Sequence, residues 1–157
     1  MNKKQKIAVG ISWLLVAVCM GIIFSLSHQP STESAELSLA VMGFFSQIFT
    51  KFIEAIGHDA FRSIAHGLEY CGLSLLLFNA LYQTVRKPKA FLSFAISVFY
   101  SITDEIHQIF IEGRAFQLSD LAVDAVGSAA GVTAAFILYI IINHIIEHRR
   151  GKELEKE

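Results

Sequence analysis

Four windows of the chain are apolar over about the 20 residues that a membrane-crossing helix needs. They run from Ile7 to Leu26 (IAVGISWLLVAVCMGIIFSL), Ile64 to Val85, Ala90 to Ile111 and Asp120 to Ile145. The first is apolar throughout. The second and fourth are polar only near their starts, and the third only near its end. Pro88 lies in the short gap between the second and third, which predicts a tight turn between antiparallel helices. Between the first two windows the pattern changes. Ser31-Thr32-Glu33 reads as a helix start, and Leu37, Val41, Phe44, Phe45, Ile48, Phe49, Phe52 and Ile56 then recur at helical spacing, with Glu36, Ser46, Lys51 and Glu54 elsewhere. That periodicity predicts an amphipathic helix over about 33–56, lying at a membrane surface or packed as a plug over the bundle. The expected fold is therefore all-α: an integral-membrane four-helix bundle with an outer amphipathic surface helix, in a single domain over 1–157.

Composition supports this reading. Of the 157 residues 54% are hydrophobic and 17% charged, too apolar for a soluble fold of this size. Cys19 and Cys71 each sit in an apolar run with no CxxC spacing, so they read as packing residues rather than a disulfide or a metal site. There is no basic patch or reading motif for nucleic acid. The first window follows KKQK, as in a signal peptide, but it is longer than a usual signal core and no A-x-A-like site follows; it is expected to stay as a span.

Charge gives the expected direction. Lys3, Lys4, Lys6, Arg86, Lys87, Lys89, Arg149, Arg150, Lys152 and Lys156 fall on one side, ten bases against Lys51, Arg62 and Arg114 on the other. The excess of bases marks the cytoplasmic side, so both termini should be cytoplasmic. All the intramembrane polarity then lands in the outer half. Ser27-His28-Gln29 closes the first span, Arg62, His66 and Glu69 open the second, Tyr100, Asp104, Glu105, His107 and Gln108 close the third, Arg114 follows it, and Asp120 and Asp124 open the fourth. At about 100° per residue, Arg62, His66 and Glu69 share a face, as do Tyr100, Asp104 and His107, and Asp120, Asp124, Gly127 and Gly131. The Gly127-x-x-x-Gly131 spacing is that of a close helix-packing face, which turns the two carboxylates inward. Glu105 is rotated away from Asp104 and is expected against a neighbouring helix or solvent.

An ionised group at membrane depth costs several kcal/mol. One such residue can be a structural tie between helices. Here five acids, Glu69, Asp104, Glu105, Asp120 and Asp124, stand against two permanent bases, Arg62 and Arg114, so mutual neutralisation is incomplete. A polar cavity follows as the better expectation, with Arg62, His66, Glu69, Asp104, Glu105, His107, Gln108, Arg114, Asp120 and Asp124 as its ligand-binding residues.

Four segments together resemble the VanZ-like family. They are FSLSHQP at 24–30, RSIAHGLEY at 62–70, DEIHQIF at 104–110 running on to Gly113-Arg114, and Asp120, Asp124, Gly127 and Gly131 in their D-x3-D-x2-G-x3-G order. The resemblance spans about residues 7–145. One departure stands out: where this chain has Asp124, many members carry Asn. The resemblance implies a multi-pass protein of a bacterial plasma membrane, part of the cell envelope, and a contribution to low-level teicoplanin resistance outside the pathway that rebuilds the peptidoglycan terminus. It implies no reaction and no cofactor.

Three functions compete. A non-enzymatic envelope protein would use the polar site to bind a membrane lipid, a lipid-linked cell-wall precursor or the antibiotic. A membrane enzyme would act on a lipid-linked phosphate or cell-wall precursor, with His66 and His107 as acid or base, Glu69, Asp104 and Asp120 orienting them or holding a divalent cation, and Arg62 and Arg114 on phosphate. The G-x-S-x-G and H-E-x-x-H motifs are both absent, and a metal site is not expected. A transporter is disfavoured because Asn79 and Asn143 are the main polar residues of the inner halves. Oligomeric state is not legible in the sequence.

Overall fold

The structure is a computed structural model that describes residues 1–28 and 58–154, with side chains at 1–28 and 63–152. Four helices follow in order: α1 (Lys3–Ser27), α2 (His58–Val85), α3 (Ala90–Gln108) and α4 (Leu118–Leu154). The expected amphipathic helix at 33–56 lies outside the described residues. Among those described, every element is helical, as the windows predict.

The ends of the helices differ from the apolar windows for local reasons. α1 starts four residues before Ile7, because Asn2 and Gln5 form a capping box in which each side chain takes the other's backbone N–H, both at 2.9 Å. α3 stops at Gln108, three residues short of the expected Ile111; the chain turns through 109–114, with Gly113 at φ 75°. α4 continues through the basic stretch to Leu154, well past Ile145. Over their apolar stretches α1, α2 and α4 are long and apolar enough to cross a membrane. The 19-residue α3 falls short of that standard because Asp104, Glu105, His107 and Gln108 crowd its last two turns.

Cross-helix contacts fix direction and register. Tyr100 donates to the Met20 carbonyl at 2.8 Å and Ser27 to Asp104 at 2.7 Å, so α1 and α3 run parallel, while Asn79 donates to Ser12 and Trp13 to Thr84, each at 3.1 Å, and join α1 to α2. Ser97 meets Ser128 at 2.8 Å and Ser101 meets Asp124 at 2.6 Å, which sets α3 antiparallel to α4. α2 and α4 run parallel. A Cβ on Gly127 would strike the Gly67 carbonyl, and one on Gly131 the Cys71 carbonyl, so the two backbones touch through these glycines. The chain thus goes up, down, up and down.

The apolar core follows α2, which packs against all three other helices. Tyr70, Leu73, Leu77 and Ala80 pack on Val16 and Ile23 of α1. On the far side Phe78 packs on Val132 and Ala135 of α4, with Phe94 of α3 against them. Cys19 and Cys71 are both free.

Candidate functional site

The alternating directions bring four polar segments to one end: the last residues of α1, the first turns of α2, the last turns of α3 and the first turns of α4. Lys3, Lys4, Lys6, Arg86, Lys87, Lys89, Arg149, Arg150 and Lys152 all belong to the opposite ends of these helices. The polar end is also largely enclosed. His66, Asp104, Glu105, Gln108, Asp120 and Asp124 are buried, with Glu105, Gln108 and Asp124 fully so, while Glu69, His107 and Arg114 are half-buried.

Two carboxylates organise it. Asp104 Oδ2 accepts from Ser27 Oγ of α1 at 2.7 Å and, one turn along α3, from Gln108 Nε2 at 3.4 Å. Asp124 Oδ2 accepts from Ser101 Oγ at 2.6 Å, and its Oδ1 lies 3.8 Å from His66 Nδ1 of α2, an ion pair when the imidazole is protonated. Asp104 therefore ties α3 to α1, and Asp124 ties α4 to α3 and faces α2. Short bonds to a carboxylate are the stronger kind, which suits a place where a buried charge needs compensation.

Glu105 and Arg114 hold the loop between α3 and α4. Glu105, rotated away from Asp104 as the spacing predicts, is buried against a neighbour rather than solvent: its Oε2 accepts the Gln117 backbone N–H at 2.9 Å, pinning the chain just before α4. Asp120 is buried in the first turn of α4, where a carboxylate favours the positive helix end. Arg114 reaches back to α1 and donates to the Leu26 carbonyl at 3.3 Å. His107 stacks on Phe24 with ring centres 4.6 Å apart, and its Nε2 meets His28 Nδ1 at 3.1 Å, one nitrogen donating and the other accepting.

The structure brings His66, Asp104, Gln108 and Asp124 to one polar layer in two groups, Asp104 with Ser27 and Gln108, and Asp124 with Ser101 and facing His66. It sends Glu105 and Arg114 to the loop, and His107 to a half-buried aromatic stack. The Arg62 side chain lies outside the described residues. Sequence reasoning passed over the serines. Ser93, Ser97 and Ser101 recur every fourth residue on the buried face of α3, and that stripe in an apolar helix was the available signal. Tyr70, which enters the sequence reading only as part of the RSIAHGLEY segment, is fully buried and 6.4 Å, ring to ring, from Tyr100. His28 is exposed, yet it holds His107. Among the described residues no three His, Cys, Asp or Glu side chains are grouped to hold a metal ion.

The buried oxygens Tyr70 Oη, Asp104 Oδ1, Gln108 Oε1 and Asp124 Oδ1 take no hydrogen bond from any described residue. An unmet buried acceptor typically costs about 1–3 kcal/mol. The layer therefore has spare capacity to accept hydrogen bonds.

A model of the VanZ/LLP1 family matches residues 12–142, from the first span to the far part of the fourth helix. The chain belongs to the VanZ-like family. That match covers every candidate site residue, Asp124 among them, whose carboxylate in this VanZ-like chain accepts the short bond from Ser101. No curated protein and no solved structure matches the chain.

Proposed function

We propose that this VanZ-like protein sits in the plasma membrane of a bacterium with both termini cytoplasmic. Its polar end faces outward, where it binds the head group of a membrane lipid or lipid-linked cell-wall precursor and so contributes to low-level teicoplanin resistance. The observation that carries this reading is the gathering of buried acids, His66 and Gln108 from separate helices at the end opposite the bases. Bases favour the cytoplasmic side. α3 is taken to cross with the other three: its 19 residues give about 28 Å, close to the roughly 30 Å of hydrocarbon, and its carboxylates are sheltered by α1, α2 and α4. The unmet acceptors on Asp104, Gln108 and Asp124 suit a ligand rich in donors, such as the hydroxyls and ammonium groups of lipid and precursor head groups.

One observation favours a second reading, an enzyme on a lipid-linked phosphate. Asp124 faces His66 at 3.8 Å, and a carboxylate that orients an imidazole is the arrangement a general base uses. Expression of the chain in a teicoplanin-sensitive host tests the first reading. Teicoplanin tolerance above that of the empty vector supports it, and unchanged susceptibility contradicts it. Release of phosphate from a lipid pyrophosphate by the reconstituted chain, lost in His66→Asn, would favour the enzyme instead.

A further inference from the structure

The opposite end of the bundle carries a second feature. Gly67 and Cys71 of α2 touch Gly127 and Gly131 of α4 backbone to backbone, and extending that register pairs Leu75 with Ala135, Asn79 with Tyr139 and Gln83 with Asn143. Towards the basic end the small residues give way to Phe78, Tyr82 and Tyr139. Their rings meet edge-on, Phe78 with Tyr139 at 6.5 Å and Tyr82 with Tyr139 at 5.3 Å, and wedge the helices apart. The result is an open groove of about 350 Å³ between α2 and α4. Its walls are mostly apolar, Leu75, Phe78, Leu138 and Ile142 among them, with Gln83 and Asn143 towards the basic end.

Both walls belong to helices long and apolar enough to cross a membrane, so the groove opens into hydrocarbon. From Leu75 to Gln83 it covers about 12 Å of helix, against about 15 Å for one leaflet's hydrocarbon. That is the depth of one acyl chain reaching in from the surface. Beyond the groove the same helical stripes become cationic. On α2 the spacing runs from Tyr82 to Arg86, with Lys87 beside it. On α4 it runs from Ile146 to Arg149 and Arg150, all four bases being exposed. Glu147 is the one acid of α4 between 125 and 152, and it lies further round the helix. Arg86 ends α2 in the left-handed region, φ 56°, where glycine is the usual residue. A bulky cation stands there at a conformational cost.

We propose that this groove and the basic residues at its mouth form a binding site for an anionic glycerophospholipid of the leaflet at the basic end. One acyl chain lies between α2 and α4, and the phosphate meets Arg86, Lys87, Arg149 and Arg150. Basic pockets between membrane helices on the cytoplasmic side hold anionic head groups by such charge pairing. The site is separate from the polar layer and does not depend on what that layer binds.

The test titrates the full chain in a neutral detergent with phosphatidylglycerol or with phosphatidylcholine of the same acyl chains, following thermal stability and lipid retained in native mass spectrometry. Phosphatidylglycerol should bind with a midpoint at least about tenfold lower than phosphatidylcholine. The combined variant Arg86→Gln, Arg149→Gln, Arg150→Gln should remove that preference. Leu138→Trp, at an exposed position, should fill the groove and weaken both lipids while leaving lipid-free stability intact. Equal affinity for the two lipids in the parent overturns the charged half of the site. Phosphatidylglycerol binding unchanged in Leu138→Trp overturns the groove, leaving only surface attraction.

Discussion

Asp124 shows how one buried carboxylate can link three helices. Its carboxylate takes the Ser101 hydroxyl at 2.6 Å and faces His66, all inside the bundle. Asn has the same shape and still offers an oxygen to Ser101, while removing a buried charge. Asp124→Asn is therefore expected to fold with a stability within about 1 kcal/mol of the parent. Asp124→Leu should lose about 1–3 kcal/mol, because the Ser101 hydroxyl is left without its acceptor. Thermal unfolding of the two variants in detergent checks the difference. At this scale the sequence revealed which acids and histidines interrupt the apolar runs, because charge there is conspicuous. It did not reveal their partners. A serine in an apolar helix can bond back to its own helix, as Ser93 does to the Lys89 carbonyl at 2.9 Å, or across to another, as Ser97 and Ser101 do. The choice depends on what lies opposite, and that is known only once the helices are packed.

The contact of α2 with α4 is the element-scale feature on which the site depends, because it sets His66 beside Asp124. It forms through glycines that leave no room for a Cβ. Gly127→Ala would press a methyl group into the Gly67 carbonyl and should cost about 1–3 kcal/mol, while parting the two helices at the site. Gly21→Ala, on a face of α1 where a Cβ meets nothing within 4 Å, should be neutral. Denaturation in mixed micelles compares the pair. The Gly127-x-x-x-Gly131 spacing announced this face in advance, and hydropathy announced the four helices. Their ends were less legible. Asn2 with Gln5 extends α1 and the turn at Gly113 shortens α3, and both effects are local hydrogen bonding and backbone geometry to which a hydropathy window is blind.

Across the whole molecule, two chemically opposite ends emerge from one alternating topology. Acids, histidines and serines gather at one end and most bases at the other, and each end carries its own proposed site: a hydrogen-bonding layer above and a groove for lipid below. The proposed orientation predicts that a cysteine at Ala115, in the loop before α4, reacts with a membrane-impermeant maleimide added to intact cells, whereas one at Lys87 reacts only after the membrane is opened. Both would be made with Cys19 and Cys71 replaced by Ala.

The central claim is that the buried polar layer is a functional site and not only a tie between helices. The most direct measurement is teicoplanin protection by His66→Asn and Asp104→Asn, each made separately and compared with the parent at matched membrane levels and matched thermal stability. The account predicts that variants which insert and melt like the parent lose the parent's protection. Full protection by both variants would contradict it and leave the layer a structural feature.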